Sequence, residues 1–181
     1  METWKAFENN EITHSAAHHL MAISSLRNKF GYARVTDVAK RLSITRGSAS
    51  ITLKALKEKG LVVEDENKFL QLSPKGDSLA RLIQSKKRIL IKFFRDVLEV
   101  DAEQAEINAC KIEHLISYEI GEKLLSFVKF LYSDAQKARE FITTFQRFQI
   151  ECDHNIECSI CKGTCLLDEK NDQPLYQQSE A

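Results

Sequence analysis

The stretch "VTDVAKRLSITRGSASITLKALKEKGLVVEDENKFLQLS", residues 35 to 73, decides the fold. Its opening places Val38, Ala39 and Leu42 on one helical stripe, with Thr36 as candidate N-cap. After "SIT", Thr45 can cap a second helix that Gly60 ends, with Ala49, Leu53 and Leu56 facing inward. Two helices across so short a turn match a helix-turn-helix. A β-branched run, a polar turn around "EDENK" and a second apolar run then predict a hairpin, hence a winged helix-turn-helix.

Working outward, Ala16, Ala17, Leu20, Met21, Ile23 and Leu26 recur at helical spacing between about Glu11 and Phe30, and Gly31 stops that helix. On the other side, Ser73 as N-cap and Pro74 as first helical residue open a long helix to about Asp96. Its apolar faces include Leu79, Leu82, Ile83, Ile89, Leu90, Phe93, Phe94 and Val97, more surface than one small domain covers. Asp101 with Gln104 forms a capping box for the next helix, and Ser117 and Gly121 loosen the chain before "EKLLSFVKFL". Ser133 with Gln136 starts a further helix through Ile150, carrying Phe141, Phe145 and Phe148. Excess apolar surface on an all-helical part predicts a homodimer. The fold class expected is mainly α: a winged helix over residues 1–74, a helical dimerisation and metal-binding domain over 75–150, and a cysteine-rich tail over 151–181.

With 181 residues and 43% hydrophobic content the chain can bury a real core. No apolar run approaches the roughly 18 residues of a membrane span, and the start has no basic end followed by an apolar stretch. A cytoplasmic protein without a membrane partner is expected. The net charge of zero hides an asymmetry: residues 1–76 carry 12 Lys+Arg against 8 Asp+Glu, and residues 132–181 carry 5 against 9. Between Arg34 and Lys59 there are seven basic and two acidic residues, a surface suited to phosphates. The outward face of the helix after Thr45 is poor in large apolar groups and offers Thr45, Arg46, Ser48, Ser50, Thr52 and Lys54, with Asn67 and Lys68 in the wing. Short hydroxyls beside Arg and Lys suit phosphates and base edges. Nothing suggests an enzyme: there is no nucleophile with an adjacent base, no phosphate loop and no paired catalytic carboxylates.

The segment "INACKIEHLI", residues 107–116, puts a thiol, a carboxylate and an imidazole at Cys110, Glu113 and His114, offsets that share one helical face. Spacing alone permits a metal site. It equally permits a small buried cysteine with two polar neighbours.

Together with "GYARVTDVAKRL" and "GLVVEDENKFLQLSPKG", this segment resembles the diphtheria-toxin-repressor and manganese-transport-regulator family of metal-dependent repressors, over roughly residues 14–131. The resemblance implies a homodimer whose winged helix binds double-stranded operator DNA in a geometry locked by a divalent metal. It also implies that Cys110, Glu113 and His114 are ligands, with a fourth from the first helix that register from Gly31 assigns to His18. Met or Asp is commoner there, although imidazole suits iron, manganese or zinc. Met21 falls where manganese-type members place a second carboxylate, whose absence argues against a manganese-specific site, since a hard ion prefers oxygen donors. A second family site would fall on Lys87, Ile91 and Glu106, and is expected to be missing because the ammonium of Lys87 and the alkyl group of Ile91 cannot hold a cation. His14, one turn before His18, reads more plainly as part of a surface histidine pair.

The tail departs from the family. Cys152, Cys158, Cys161 and Cys165 lie within 14 residues at intervals of five, two and three. That tight wrapping suggests one iron–sulfur cluster, of the four-iron type, more than two separated zinc knuckles, although His154 offers zinc a fifth donor. The function expected is a metal-responsive transcription repressor, with iron as the expected metal. One alternative is a ligand-responsive winged-helix regulator of the multiple-antibiotic-resistance type with no metal in its helical part. The other is an iron–sulfur redox protein whose winged helix docks another protein.

Overall fold

The computed structural model describes residues 12–133 and 136–148. The chain divides into two units, Met1–Arg139 and Glu140–Ala181. Among the described residues, the first unit opens with α1 (His14–Phe30), α2 (Val35–Arg41) and α3 (Arg46–Glu58), followed by strands β1 (Val62–Glu64) and β2 (Leu70–Leu72). Then come α4 (Pro74–Lys92), a π-helical continuation over Phe93–Val97, α5 (Ala102–Ile112) and α6 (Tyr118–Leu131). Helix α7 (Gln136–Arg147) runs across the boundary into the second unit.

Local chemistry accounts for most element ends. Thr13 Oγ1 accepts from the Ala16 amide at 3.3 Å, so α1 starts at His14, later than the apolar periodicity suggests. Gly31 closes it with φ 81°, and its N–H reaches Arg27 O at 2.8 Å. Helix α2 is capped at Arg34 and not at Thr36, because the Asp37 carboxylate turns back to accept from the Arg34 amide at 3.2 Å. Leu42, Ser43 and Ile44 form the turn into α3, with Ser43 in the left-handed region at φ 55°. Thr45 caps α3 as its sequence position predicts, its hydroxyl accepting from the Ser48 amide at 3.1 Å.

The hairpin is antiparallel, with Val62 opposite Leu72 and Glu64 opposite Leu70. Asp65 Oδ1 builds its tip by accepting from the amides of Asn67 at 2.9 Å and Phe69 at 2.8 Å, while Lys68 takes φ 64°. The Leu70 amide donates to Ala33 O at 2.8 Å, tying the wing to the chain after α1. Ser73 caps α4 and also donates to Gly60 O at 2.7 Å. A Cβ on Gly76 would sit 2.0 Å from Leu61 O, so α4 enters flush against the hairpin.

The core of the winged helix is apolar and continuous: Ala17, Leu20 and Ile23 of α1, Val38 of α2, Ala49, Leu53 and Leu56 of α3, and Leu70 are sealed from solvent with Ile83 of α4. Helix α4 is shared, packing on α1 at one side and on α5 and α6 at the other. Gly121 lies within α6, not in a loosened link before it; Ser117 caps that helix, and the Lys86 side chain covers Gly121. Among the described residues no helix is long and apolar enough to cross a membrane.

Candidate metal centre and nucleic-acid interface

His18 projects from α1, Cys110 from the last turn of α5, and Glu113 and His114 from the turn that follows it. Although 92 positions separate them, His18 Nε2 lies 3.1 Å from Cys110 Sγ. It also lies 3.9 Å from Glu113 Oε1. Glu113 is fully enclosed, and neither carboxylate oxygen has a hydrogen-bond partner; Nδ1 of His114 is buried and unpartnered too. Buried polar groups are almost always satisfied, so a sealed carboxylate without a donor marks a missing positive partner.

The electrostatics agree. Burial pushes the Glu113 carboxyl up from 4.5 to about 7, against the opposing pull of the Lys87 ammonium. Burial, assisted by His14, lowers His18 to about 4, and the same two causes lower His114. Burial and then the Glu113 charge raise the Cys110 thiol. Near neutral pH the imidazoles are therefore uncharged with lone pairs available, the form in which they bind metals. The donor set of imidazole, thiol and carboxylate fits a divalent transition ion, which would supply the positive charge that Glu113 lacks.

His14 belongs to this cluster more fully than its sequence position suggests. One ligand atom each of His14, His18 and Cys110 lies within 4.8 Å of the others. The His14 ring centroid is 4.4 Å from that of His18 and 5.0 Å from that of His114. The four-residue spacing to His18 was the available signal. Lys87 and Glu106 face one another, Nζ to Oε1 at 3.3 Å, so a fixed ammonium stands beside the centre. Lys86, almost fully buried, donates from Nζ to Ile116 O at 2.6 Å, tethering the turn that bears Glu113 and His114 to α4.

On α3, Thr45, Arg46, Ser48, Ser50 and Lys54 are exposed and Thr52 is half-buried. Thr45 and Ser48 are engaged with one another, hydroxyl to hydroxyl at 2.9 Å, as part of the cap. Lys54 Nζ approaches Glu58 at 4.0 Å, a solvated pair that releases the lysine at little cost. Asn67 and Lys68 are exposed at the wing tip, with Lys68 Nζ 3.6 Å from Glu64, which also pairs with Lys57. The outward face of α3 is not free of large apolar groups: Ile51 stands 75% exposed among these polar residues. Cys152, Cys158, Cys161 and Cys165 lie outside the described residues.

Residues 73–141 match the family model described as "Iron dependent repressor, metal binding and dimerisation domain". The chain is 30% identical over 117 residues to the HTH-type transcriptional regulator MntR of Lysinibacillus sphaericus, covering 65% of this chain and 84% of that protein. It is 29% identical over 92 residues to the diphtheria toxin repressor of Corynebacterium diphtheriae, covering 51% of this chain and 41% of that one. The chain thus spans most of the first relative and less than half of the second. Among solved structures, the manganese regulator SloR superposes with a TM-score of 0.60 at 24% identity, over 65% of this chain and 55% of that chain, a likeness of fold.

Proposed function

The chain belongs to the diphtheria-toxin-repressor and manganese-transport-regulator family of metal-dependent transcription regulators, and we propose that it is a cytoplasmic homodimeric repressor whose hold on operator DNA responds to a divalent transition metal, iron(II) being the best fit and manganese(II) or zinc(II) the alternatives. His18, Cys110, Glu113 and His114 are the ligands in this reading. The observation that carries it is the Glu113 carboxylate, fully enclosed, without a hydrogen-bond partner, and 3.9 Å from His18 Nε2. Family membership favours it over an organic-ligand regulator, and relatives that regulate transcription fit a protein that is not an enzyme.

When bound, the ion supplies the positive charge that lets a buried carboxylate, a thiolate and imidazoles stand together. The chain's own residues determine what that does. The same helix that carries His18 buries Ala17, Leu20 and Ile23 in the winged-helix core. Cys110, Glu113 and His114 stand on the α5 side, braced on α4 through Lys86. Holding α1 against α5 therefore fixes the attitude of the helix-turn-helix relative to the helical part. Since Glu113 holds its proton up to about pH 7, an incoming ion competes with that proton, and affinity should rise as pH rises through neutrality.

The winged helix, in the span 1–74, meets the duplex through Arg46, Ser50, Thr52 and Lys54, with Thr45 and Ser48 at the helix N-terminus and Asn67 and Lys68 in the wing. Ile51, exposed among them, suits a thymine methyl. The part from 75 to 150 dimerises, consistent with the exposed Tyr118, Ile120 and Phe130 of α6 and with the description of the matching family model. For the tail over 151–181, the cysteine spacing supports a four-iron cluster on Cys152, Cys158, Cys161 and Cys165, with zinc as the competing occupant. Protein purified without oxygen that is colourless, holds zinc and releases no acid-labile sulfide would exclude the cluster.

A gel shift tests the main reading, using a duplex selected from a random pool by the metal-loaded protein. Binding should be strong with iron(II) and weak after chelation; equal binding in both states would sink metal dependence.

A further inference from the structure

We propose that His14 is an additional ligand of this centre, closing its solvent side with nitrogen and so selecting a borderline ion such as iron(II), cobalt(II) or zinc(II) over manganese(II). The inference rests on the metal reading above and deepens it.

Three observations support it. The ligand atoms of His14, His18 and Cys110 are mutually within 4.8 Å, close enough for small side-chain rotations to bring all three onto one small ion. His14 and His18 are one helical turn apart on α1, so both imidazoles point to the same side. The His14 ring lies against two members of the set, His18 at 4.4 Å and His114 at 5.0 Å between centroids.

The centre is also asymmetric. Glu113 is sealed at the inner end, whereas His14 is exposed. An open cleft of about 270 Å³ lies at the outer end, lined by His14, His18, His19, Cys110, Leu42 and Ile44. An ion held by His18, Cys110, Glu113 and His114 without His14 would face water through that cleft. His14 replaces the water with a second α1 nitrogen, leaving one carboxylate as the only hard donor among soft and borderline ones. Manganese(II) prefers oxygen donors and gains least from that exchange, whereas iron(II), cobalt(II) and zinc(II) gain most. Two ligands one turn apart on α1 also resist rotation of that helix, which a single ligand does not.

The full chain, stripped with chelator and reloaded with zinc(II), cobalt(II) or manganese(II), tests this. Competition against a chromophoric chelator gives affinities for wild type, His14→Ala and His18→Ala, with cobalt(II) visible absorption reporting the donor set. His14→Ala should lose at least ~10-fold in zinc and cobalt affinity, as for disturbed metal shells generally. Its cobalt bands should shift, and its manganese affinity should change less. In a zinc titration followed by NMR, the His14 and His18 ring signals should move together and stop at the same equivalence. If His14→Ala keeps wild-type affinities and cobalt spectrum while His18→Ala loses them, the metal centre stands and His14 is no part of it. If the His18 and His14 ring signals of wild type respond to none of the three ions, whatever the cysteine-rich tail takes up, the metal reading fails and this inference falls with it.

Discussion

Substituting Glu113 by Gln in the metal-free protein should remove a stability penalty that grows with pH. The wild-type carboxyl is fully enclosed without a partner, and its pKa rises from 4.5 to about 7. A carboxyl whose folded pKa exceeds its unfolded one binds its proton more tightly in the fold. The fold therefore suffers no penalty below about pH 4.5, a growing one as pH rises through the interval, and the full one above about 7. At ~1.4 kcal/mol per tenfold the full penalty is about 3 kcal/mol. Gln carries a neutral amide at every pH and has no such slope. His18, whose folded pKa falls from 6.5 to about 4, contributes an opposite slope on the acid side, but it is common to both proteins and cancels in their difference. Urea denaturation in chelator at pH 5 and pH 8 is the assay. Between the two, Glu113→Gln should gain ~2–3 kcal/mol on wild type. Adding zinc(II) at pH 8 should reverse the order, because only wild type then acquires the missing cation. Parallel pH profiles in chelator would refute the idea that this carboxylate is buried without a partner.

Arg46→Ala should cost ~1–3 kcal/mol of operator affinity if its guanidinium reads a guanine, whereas Lys54→Ala should weaken all sequences alike and reduce the salt slope by ~1, both measured by fluorescence anisotropy across a salt series. Ile51→Ala should cost ~1 kcal/mol on DNA and lose its response to exchanging thymine for deoxyuridine in the site; a wild-type protein indifferent to that exchange would exclude a methyl contact. Lys86→Met keeps the stem that covers Gly121 but frees Ile116 O, so zinc affinity by chelator competition should fall ~10-fold. Unchanged affinity would mean that the tether does not position Glu113 and His114.

What could be read from the sequence was what neighbouring residues determine. Thr45 and Ser73 cap their helices through hydroxyls that reach amides three positions on, and the wing tip folds on Asp65 and its own following amides. The misread ends have equally local causes with two competing candidates: Thr36 and Asp37 both suit a helix start, and the carboxylate at the third position moved the cap to Arg34. Gly121 was read as a break because glycine costs about 1 kcal/mol in a helix. The packing of Val128 and Leu131, with the Lys86 stem laid over the glycine, outweighs that cost.

The candidate site divides along the same line. That Cys110, Glu113 and His114 can share one face was legible because one helix and the turn after it carry all three, whereas the donors found within 4.8 Å of one another are those of His14, His18 and Cys110. Nothing local says that Glu113 is sealed, since that depends on how α4 packs against α5 and on the approach of His18 from α1. Lys86 would pass as a solvated lysine, because its acceptor lies 30 positions away. His14 makes the point most sharply. Its pairing with His18 is a four-residue spacing that any reading of the chain can see, and a solvated histidine pair explains that spacing as well as a ligand pair does. What separates the two readings is a thiol brought within 4.8 Å from the far end of the domain, a contact that no spacing along α1 encodes.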